Sequence, residues 1–360
     1  RKLNCKIQKI KKGKYKIFGK GLGSYYCKKN TILDFGNSGT AVRLLGFGVC
    51  STNPNLQIKI TGDKSLQKRS MFKIIKAIEN FGATFSPKNK FYLPLKLISS
   101  EAPIGFKFNN DISSQIKSAV ILGAINSFGK TFITENLKSR DHTEKILEKN
   151  TQTIKIKKGK KNIIEINGKA SLRPFNLYIP NDPSSASFYA ALCLLNKYSE
   201  ITLKQVNINP TRMGFFNIIK KHNGKIFFKN KKVIGNEIVA DICVKSSKLK
   251  PLKIKERHFV SCQDEFPIMF AMSSLLRGVS IFKGIKDLKN KESNRIKEMG
   301  KIFKQIGIKF IASNNQMKIY GNPNLDIRSK KIKVSGILDH RILMSAAVLI
   351  LLTGIKSKLK

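Results

Sequence analysis

Cysteine, acidic residues and arginine are all scarce in this 360-residue chain, and each scarcity closes off a class of protein. The six cysteines (Cys5, Cys27, Cys50, Cys193, Cys243, Cys262) lie far apart, with no CxxC pair and no Cys/His cluster. That spacing argues against a disulfide-stapled scaffold and a zinc site, and it fits a reduced, cytoplasmic protein. Long apolar runs are missing as well. The longest, Ile342 to Ile355, falls about four residues short of a membrane span and is broken by Ser345 and Thr353. It reads as a buried core helix, and no membrane association is expected. Acidic residues number 22 against 69 Lys plus Arg, a formal net charge of +47. Only 11 of those cations are Arg, and the Lys excess is spread over the whole length beside many Asn and Ile. Such a spread is a compositional bias laid over a globular pattern rather than a basic patch. Weak, salt-dependent polyanion binding follows from it, but no specific nucleic-acid partner, since no aromatic-plus-basic platform or finger spacing is present. With 41% apolar residues the chain can build real cores, so it is not a disordered tail.

What is present is repetition. Five segments share one design, a small polar cluster followed by about ten mostly apolar residues, starting at Asn37, Ser113, Asp182, Asp264 and Asp339. Each predicts a helix with cap-type residues at its head and apolar character nearly all round, which must be buried on most sides. An amphipathic helix follows in each period. Ile296, Met299, Ile302, Phe303 and Ile306 share one face, with Gly307 as the C-terminal cap. Phe72 to Gly82 and Phe215 to Gly224 repeat that form. Strand pairs then flank short turns, as with Ile308 to Ile311 and Met317 to Tyr320 around Ser313 to Asn315. The unit is βαβαββ, recurring about every 75 residues. A period counted back from Asn37 falls before Arg1, and the last copy runs past Lys360. The expectation is four whole units and two partial ones from a six-unit protein. Three units per domain put the boundary just before Asp182, giving lobes 1–181 and 182–360, with Pro180 and Pro183 as a stiff crossover.

Helix starts rich in Ser, Asn and Gly offer exposed N–H groups to anions, although each could be ordinary N-capping. Where Lys so outnumbers Arg, an Arg marks a place that needs a planar, bidentate fork for carboxylate or phosphate. Arg43, Arg69, Arg140, Arg212, Arg295 and Arg341 all lie in or beside such polar motifs. Asp264, Glu265, Glu292 and Asp339 cluster at the starts of late elements. On pattern alone Asp264 is either a general base or a helix N-cap.

Taken in order, Gly36-Asn-Ser-Gly-Thr-Ala-Val-Arg, Lys68-Arg, Ser113-Ser-Gln, Ser139-Arg-Asp-His-Thr-Glu-Lys, Asp182-Pro-Ser-Ser-Ala, Asn209-Pro-Thr-Arg, Asp264-Glu-Phe-Pro, Lys291-Glu-Ser-Asn-Arg and Asp339-His-Arg resemble the 5-enolpyruvylshikimate-3-phosphate synthase family over the whole chain. The resemblance implies an inside-out α/β fold of two domains, each of three βαβαββ units, closing on a cleft. It implies transfer of the enolpyruvyl group of phosphoenolpyruvate to the 5-hydroxyl of shikimate 3-phosphate with release of phosphate, by a monomer needing no cofactor or metal. By similarity Gly39, Arg69, Gln115, Arg295 and Arg341 would hold phosphoenolpyruvate. Ser113, Ser114, Gln115, Ser139, Asp264 and Lys291 would hold shikimate 3-phosphate. Asp264 would take the hydroxyl proton, and Glu292 would protonate the methylene carbon. Gly39 would leave room for the longer inhibitor glyphosate. Asn294 stands where the family usually has Asp, and Leu44 where many members have Pro. The family's N-terminal Lys, Ser and Arg motif and a late Lys fall outside residues 1–360, so the stretch by itself is expected to be inactive. The sister family acting on UDP-N-acetylglucosamine generally uses a Cys on a mobile loop. No Cys here sits in an Arg- or Gly-rich loop, and Ser113-Ser-Gln and Asp339-His-Arg favour shikimate.

Overall fold

A computed structural model describes the chain except residues 112, 151, 158, 160, 171, 326–329, 335–338 and 360. The backbone divides into two compact units, Arg1–Leu177 and Tyr178–Lys360, each with its own hydrophobic core.

One topology recurs. In the first complete repeat, Thr31–Asp34 runs parallel to Gln57–Thr61. Leu95–Ile98 pairs antiparallel with the latter and Thr84–Ser86 closes the sheet. The second repeat copies this with Lys107–Asn110, Lys130–Glu135, Asn162–Asn167 and Ile154–Lys157. The fourth uses Lys253–Ile254, Gly278–Lys283, Gln316–Gly321 and Phe310–Ala312. In the third the leading strand has shrunk to a single parallel bridge, Asn181 to Val206. An antiparallel hairpin (Lys6–Lys11 with Lys14–Phe18) precedes these repeats, and a parallel pair joined by a helix (Lys331–Val334 and Lys356–Leu359) follows them.

The helices joining each parallel pair form the interior. Helix Phe266–Ser274 is buried at every residue and packs with Pro183–Leu195 and His340–Thr353 in the second unit. Their nearly uniform apolar surfaces need partners all round, which three helices packed together and a sheet supply. In the first unit a short helix, Gly39–Ala41, continues as a π-helix over Val42–Val49 and packs on Ser114–Ala124. The i→i+5 hydrogen bonding of the π-helix departs from the ordinary helix expected there. A Cβ on Gly48 would lie 2.7 Å from the Ala119 carbonyl oxygen, so only glycine permits this backbone-to-backbone approach. The amphipathic helices behave as the periodicity predicts. Arg295–Ile306 buries Ile296, Met299, Ile302, Phe303 and Ile306 and ends at Gly307 with φ 76°. Among the described residues no helix is long and apolar enough to cross a membrane.

Candidate active site

Parallel strands end where the chemistry-bearing residues begin, the usual place for ligands in open α/β sheets. Beyond Thr31–Asp34 and Gln57–Thr61 come Gly39 and Arg69. Beyond Lys107–Asn110 and Lys130–Glu135 come Ser113 to Gln115 and Ser139. Beyond Lys253–Ile254 and Gly278–Lys283 come Asp264 and Lys291 to Arg295, and beyond Lys331–Val334 comes Arg341. Each of these residues therefore follows a parallel strand of its own repeat.

In the first unit the groups interlock. Arg43 donates through Nη1 to the Gly39 carbonyl (3.1 Å) and to Gln115 Oε1 (3.0 Å), while Gln115 Nε2 donates to Thr40 Oγ1 (2.9 Å). Gln115 thus ties the heads of two buried helices together. Arg69 reaches back to Asn37 Oδ1 (2.9 Å). Ser38 and Ser113 are side-chain caps of their helices. A Cβ on Gly39 would stand 2.8 Å from Nη1 of both Arg43 and Arg69, so glycine lets two guanidiniums crowd over one backbone position. Arg43 and Asn37, which the resemblance left without roles, are the pieces that organise this set. The signal for Arg43 was in the sequence, as an arginine among lysines. Ser139 is 1% exposed, and its hydroxyl donates to Glu135 Oε1 at 2.6 Å.

The second unit gathers charge of both signs. Arg295 is wholly buried and touches three carboxylates: Asp339 through Nε (3.0 Å), Asp264 through Nη1 (3.4 Å) and Glu292 through Nη2 (2.5 Å). Burial by itself would lower its pKa, but the fields of Asp339, Glu292 and Asp264 outweigh that and raise it. Arg341 lies 3.6 Å from the other oxygen of Asp264. Asp339 caps helix His340–Thr353 and also accepts from Ser293 (3.0 Å). Lys291 donates to Gln263 Oε1 (2.5 Å). Asp264 does not cap its helix. Phe266–Ser274 begins after Glu265 without a side-chain cap, and Asp264 spends both oxygens on arginines. Asn294 caps the next helix through Lys297 N–H (3.1 Å). An Asp could make the same cap, so the Asn keeps the local geometry while omitting a charge.

The third repeat shows a similar arrangement. Arg212 holds Asp182 (2.6 Å) and Ser184 Oγ (2.8 Å), as Arg69 holds Asn37 and Arg295 holds Asp264. Although burial opposes it, Arg212 draws the Asp182 carboxyl below its ordinary value.

No group of His, Cys, Asp and Glu among the described residues is arranged to hold a metal ion, and none of the six cysteines lies in a disulfide. The described geometry is accompanied by likeness to known proteins. The chain is 35% identical over 352 residues to the 3-phosphoshikimate 1-carboxyvinyltransferase of Zymomonas mobilis, covering 97% of this chain and 77% of that protein. It is 34% identical over 349 residues to the protein of the same name from Aquifex aeolicus, covering 95% and 78%. The solved EPSP synthase of Acinetobacter baumannii superposes with a TM-score of 0.80 at 30% identity, over 99% of this chain and 79% of that one. The family description EPSP synthase (3-phosphoshikimate 1-carboxyvinyltransferase) matches residues 1–356, and the chain belongs to that family.

Proposed function

We infer that the active enzyme, this chain together with the family's terminal motifs, transfers the enolpyruvyl group of phosphoenolpyruvate to the 5-hydroxyl of shikimate 3-phosphate and releases phosphate, a step toward chorismate and the aromatic amino acids; the kinetic tests below are made on that enzyme. The observation that carries the reading is Asp264, a carboxylate contacting both Arg295 and Arg341 rather than capping its helix. A base beside two guanidiniums suits a reaction in which a hydroxyl is deprotonated next to a doubly anionic donor.

In the proposed sequence Asp264 accepts the 5-hydroxyl proton as the oxygen bonds to C2 of phosphoenolpyruvate. Glu292 gives a proton to the methylene carbon, making C2 electrophilic. Collapse then breaks the C2–O bond to phosphate while Glu292 takes a proton back from the new methyl group, restoring the double bond. Arg69, Arg295 and Arg341, with Gly39 and Gln115, bind phosphoenolpyruvate. Ser113, Ser114, Gln115, Ser139 and Lys291, with Asp264, bind shikimate 3-phosphate. No metal or cofactor is required by this chemistry. The absence of disulfides supports action in a reducing compartment, the cytoplasm, and we read the enzyme as a monomer.

Asp264→Asn retains the shape and removes the base. It is expected to lower kcat by about 10²–10⁴-fold while shikimate 3-phosphate still binds, measured by phosphate release and by calorimetry. A kcat within threefold of the parent would sink the assignment.

A further inference from the structure

Helix Ser114–Ala124 is apolar nearly all round, yet it carries Lys117 with no exposed surface. A buried ammonium is costly unless paired, and here two carboxylates meet it. Lys117 Nζ lies 3.0 Å from Glu135 Oε2 and 2.5 Å from Glu144 Oε1, and both glutamate side chains are 2% exposed. Glu135 ends the strand Lys130–Glu135, and Glu144 stands in the first turn of helix His142–Asn150. Three elements thus converge on one cation.

The two glutamates play unequal parts. Glu144 Oε2 is buried without a hydrogen-bond partner. Burial pushes the Glu144 carboxyl upward, with Lys117 pulling it back and Glu135 pushing it further. Glu135 Oε1 is where the arrangement meets the candidate site. It accepts from Asn110 Nδ2 (3.1 Å), the Ser139 hydroxyl (2.6 Å) and the Ser139 N–H (3.4 Å). Two contacts from one serine fix the loop after the strand. A bare carboxylate in that place would repel a phosphate monoester at the same loop.

We propose that Lys117 is a positioning residue for the phosphate of shikimate 3-phosphate: by neutralising Glu135, it lets that carboxylate anchor Ser139 without repelling the dianion. The proposal rests on the reading of Ser139 as part of the shikimate 3-phosphate site. It predicts an asymmetry that simple packing does not. Lys117→Met strips the positive charge and should weaken shikimate 3-phosphate binding roughly tenfold or more, with KM for phosphoenolpyruvate changed less than threefold. Glu135→Gln removes the negative charge but keeps an acceptor for Ser139, and should weaken binding by no more than threefold. The double variant K117M/E135Q should recover most of the loss. Calorimetric titration with shikimate 3-phosphate reads all three, and thermal unfolding shows whether each has folded. Lys117→Gln, which keeps a donor for Glu135 without the charge, carries the same expectation should K117M fail to fold. Equal losses in the two single variants, or no recovery in the double, would overturn the role of charge. Ser139→Ala separates the layers. If it leaves affinity unchanged, the site reading falls and the proposal with it. If S139A weakens binding while K117M and K117Q do not, only the positioning role falls.

Discussion

The two units meet their arginines differently. In the first, Arg43 donates to the Gly39 carbonyl and to Gln115, and Arg69 donates to Asn37, neutral oxygens that orient each guanidinium. In the second, Arg295 sits out of solvent among Asp264, Glu292 and Asp339. The first arrangement orients guanidiniums through neutral oxygens, and the second gathers three carboxylates around one buried guanidinium. One repeat topology has supplied both, because the strand ends fix where a side chain emerges and not what it meets.

Three experiments would break or sharpen that contrast. The largest effect is expected from Arg295→Met, which strands three carboxylates around an apolar side chain. It should cost about 3–5 kcal/mol in denaturant unfolding. Arg69→Met, at a half-buried guanidinium, should cost less stability than that while weakening phosphoenolpyruvate binding. Similar stability losses would erase the distinction between the units. Gly39→Ala comes next. Its methyl group would enter the 2.8 Å space beneath Arg43 and Arg69, so both guanidiniums must move. KM for phosphoenolpyruvate should rise several-fold and glyphosate inhibition should weaken further, read from inhibition curves at fixed shikimate 3-phosphate. An unmoved curve would show that Gly39 is remote from the anion.

The smallest effect concerns acid stability of the second unit. The Asn230 side chain, the Gln205 N–H and Lys204 hold the Asp241 carboxyl down to about 2. A depressed carboxylate stabilises the fold above its unfolded value near 4, and that contribution fades as pH falls through about 2. Asp241→Asn should therefore lower Tm modestly at pH 7, with the gap to the parent closing toward pH 2. A gap that stays constant with pH would show that Asp241 acts only through packing.

Much of this was legible in the residues. The spacing of the five polar-then-apolar segments gave the repeat, and the face shared by Ile296, Met299, Ile302, Phe303 and Ile306 gave a helix the structure reproduces. Scarce arginine was a dependable pointer, since one follows the second strand of each complete repeat: Arg69, Arg140, Arg212 and Arg295. The pattern did not say what each arginine would meet. Arg212 holds Asp182 and Ser184, and Arg295 is buried among carboxylates. Asp264 looked as much like a cap as a base, because both uses favour the same residue at a helix start. Lys117 escaped notice altogether, since one lysine among 69 cations is invisible until burial singles it out.

The sequence by itself determined the repeated βαβαββ unit, the buried helices and the inventory of cations and carboxylates, because these follow from periodicity and side-chain chemistry along a local stretch. Only the tertiary structure decided the pairings: Lys117 with Glu135 and Glu144, Arg43 with Gln115, Arg295 with Asp264, Glu292 and Asp339. The reason is physical. Most of those partners are distant along the chain, and the cost of burying a charge is met only when strand register and helix packing bring its counter-charge within a few ångströms.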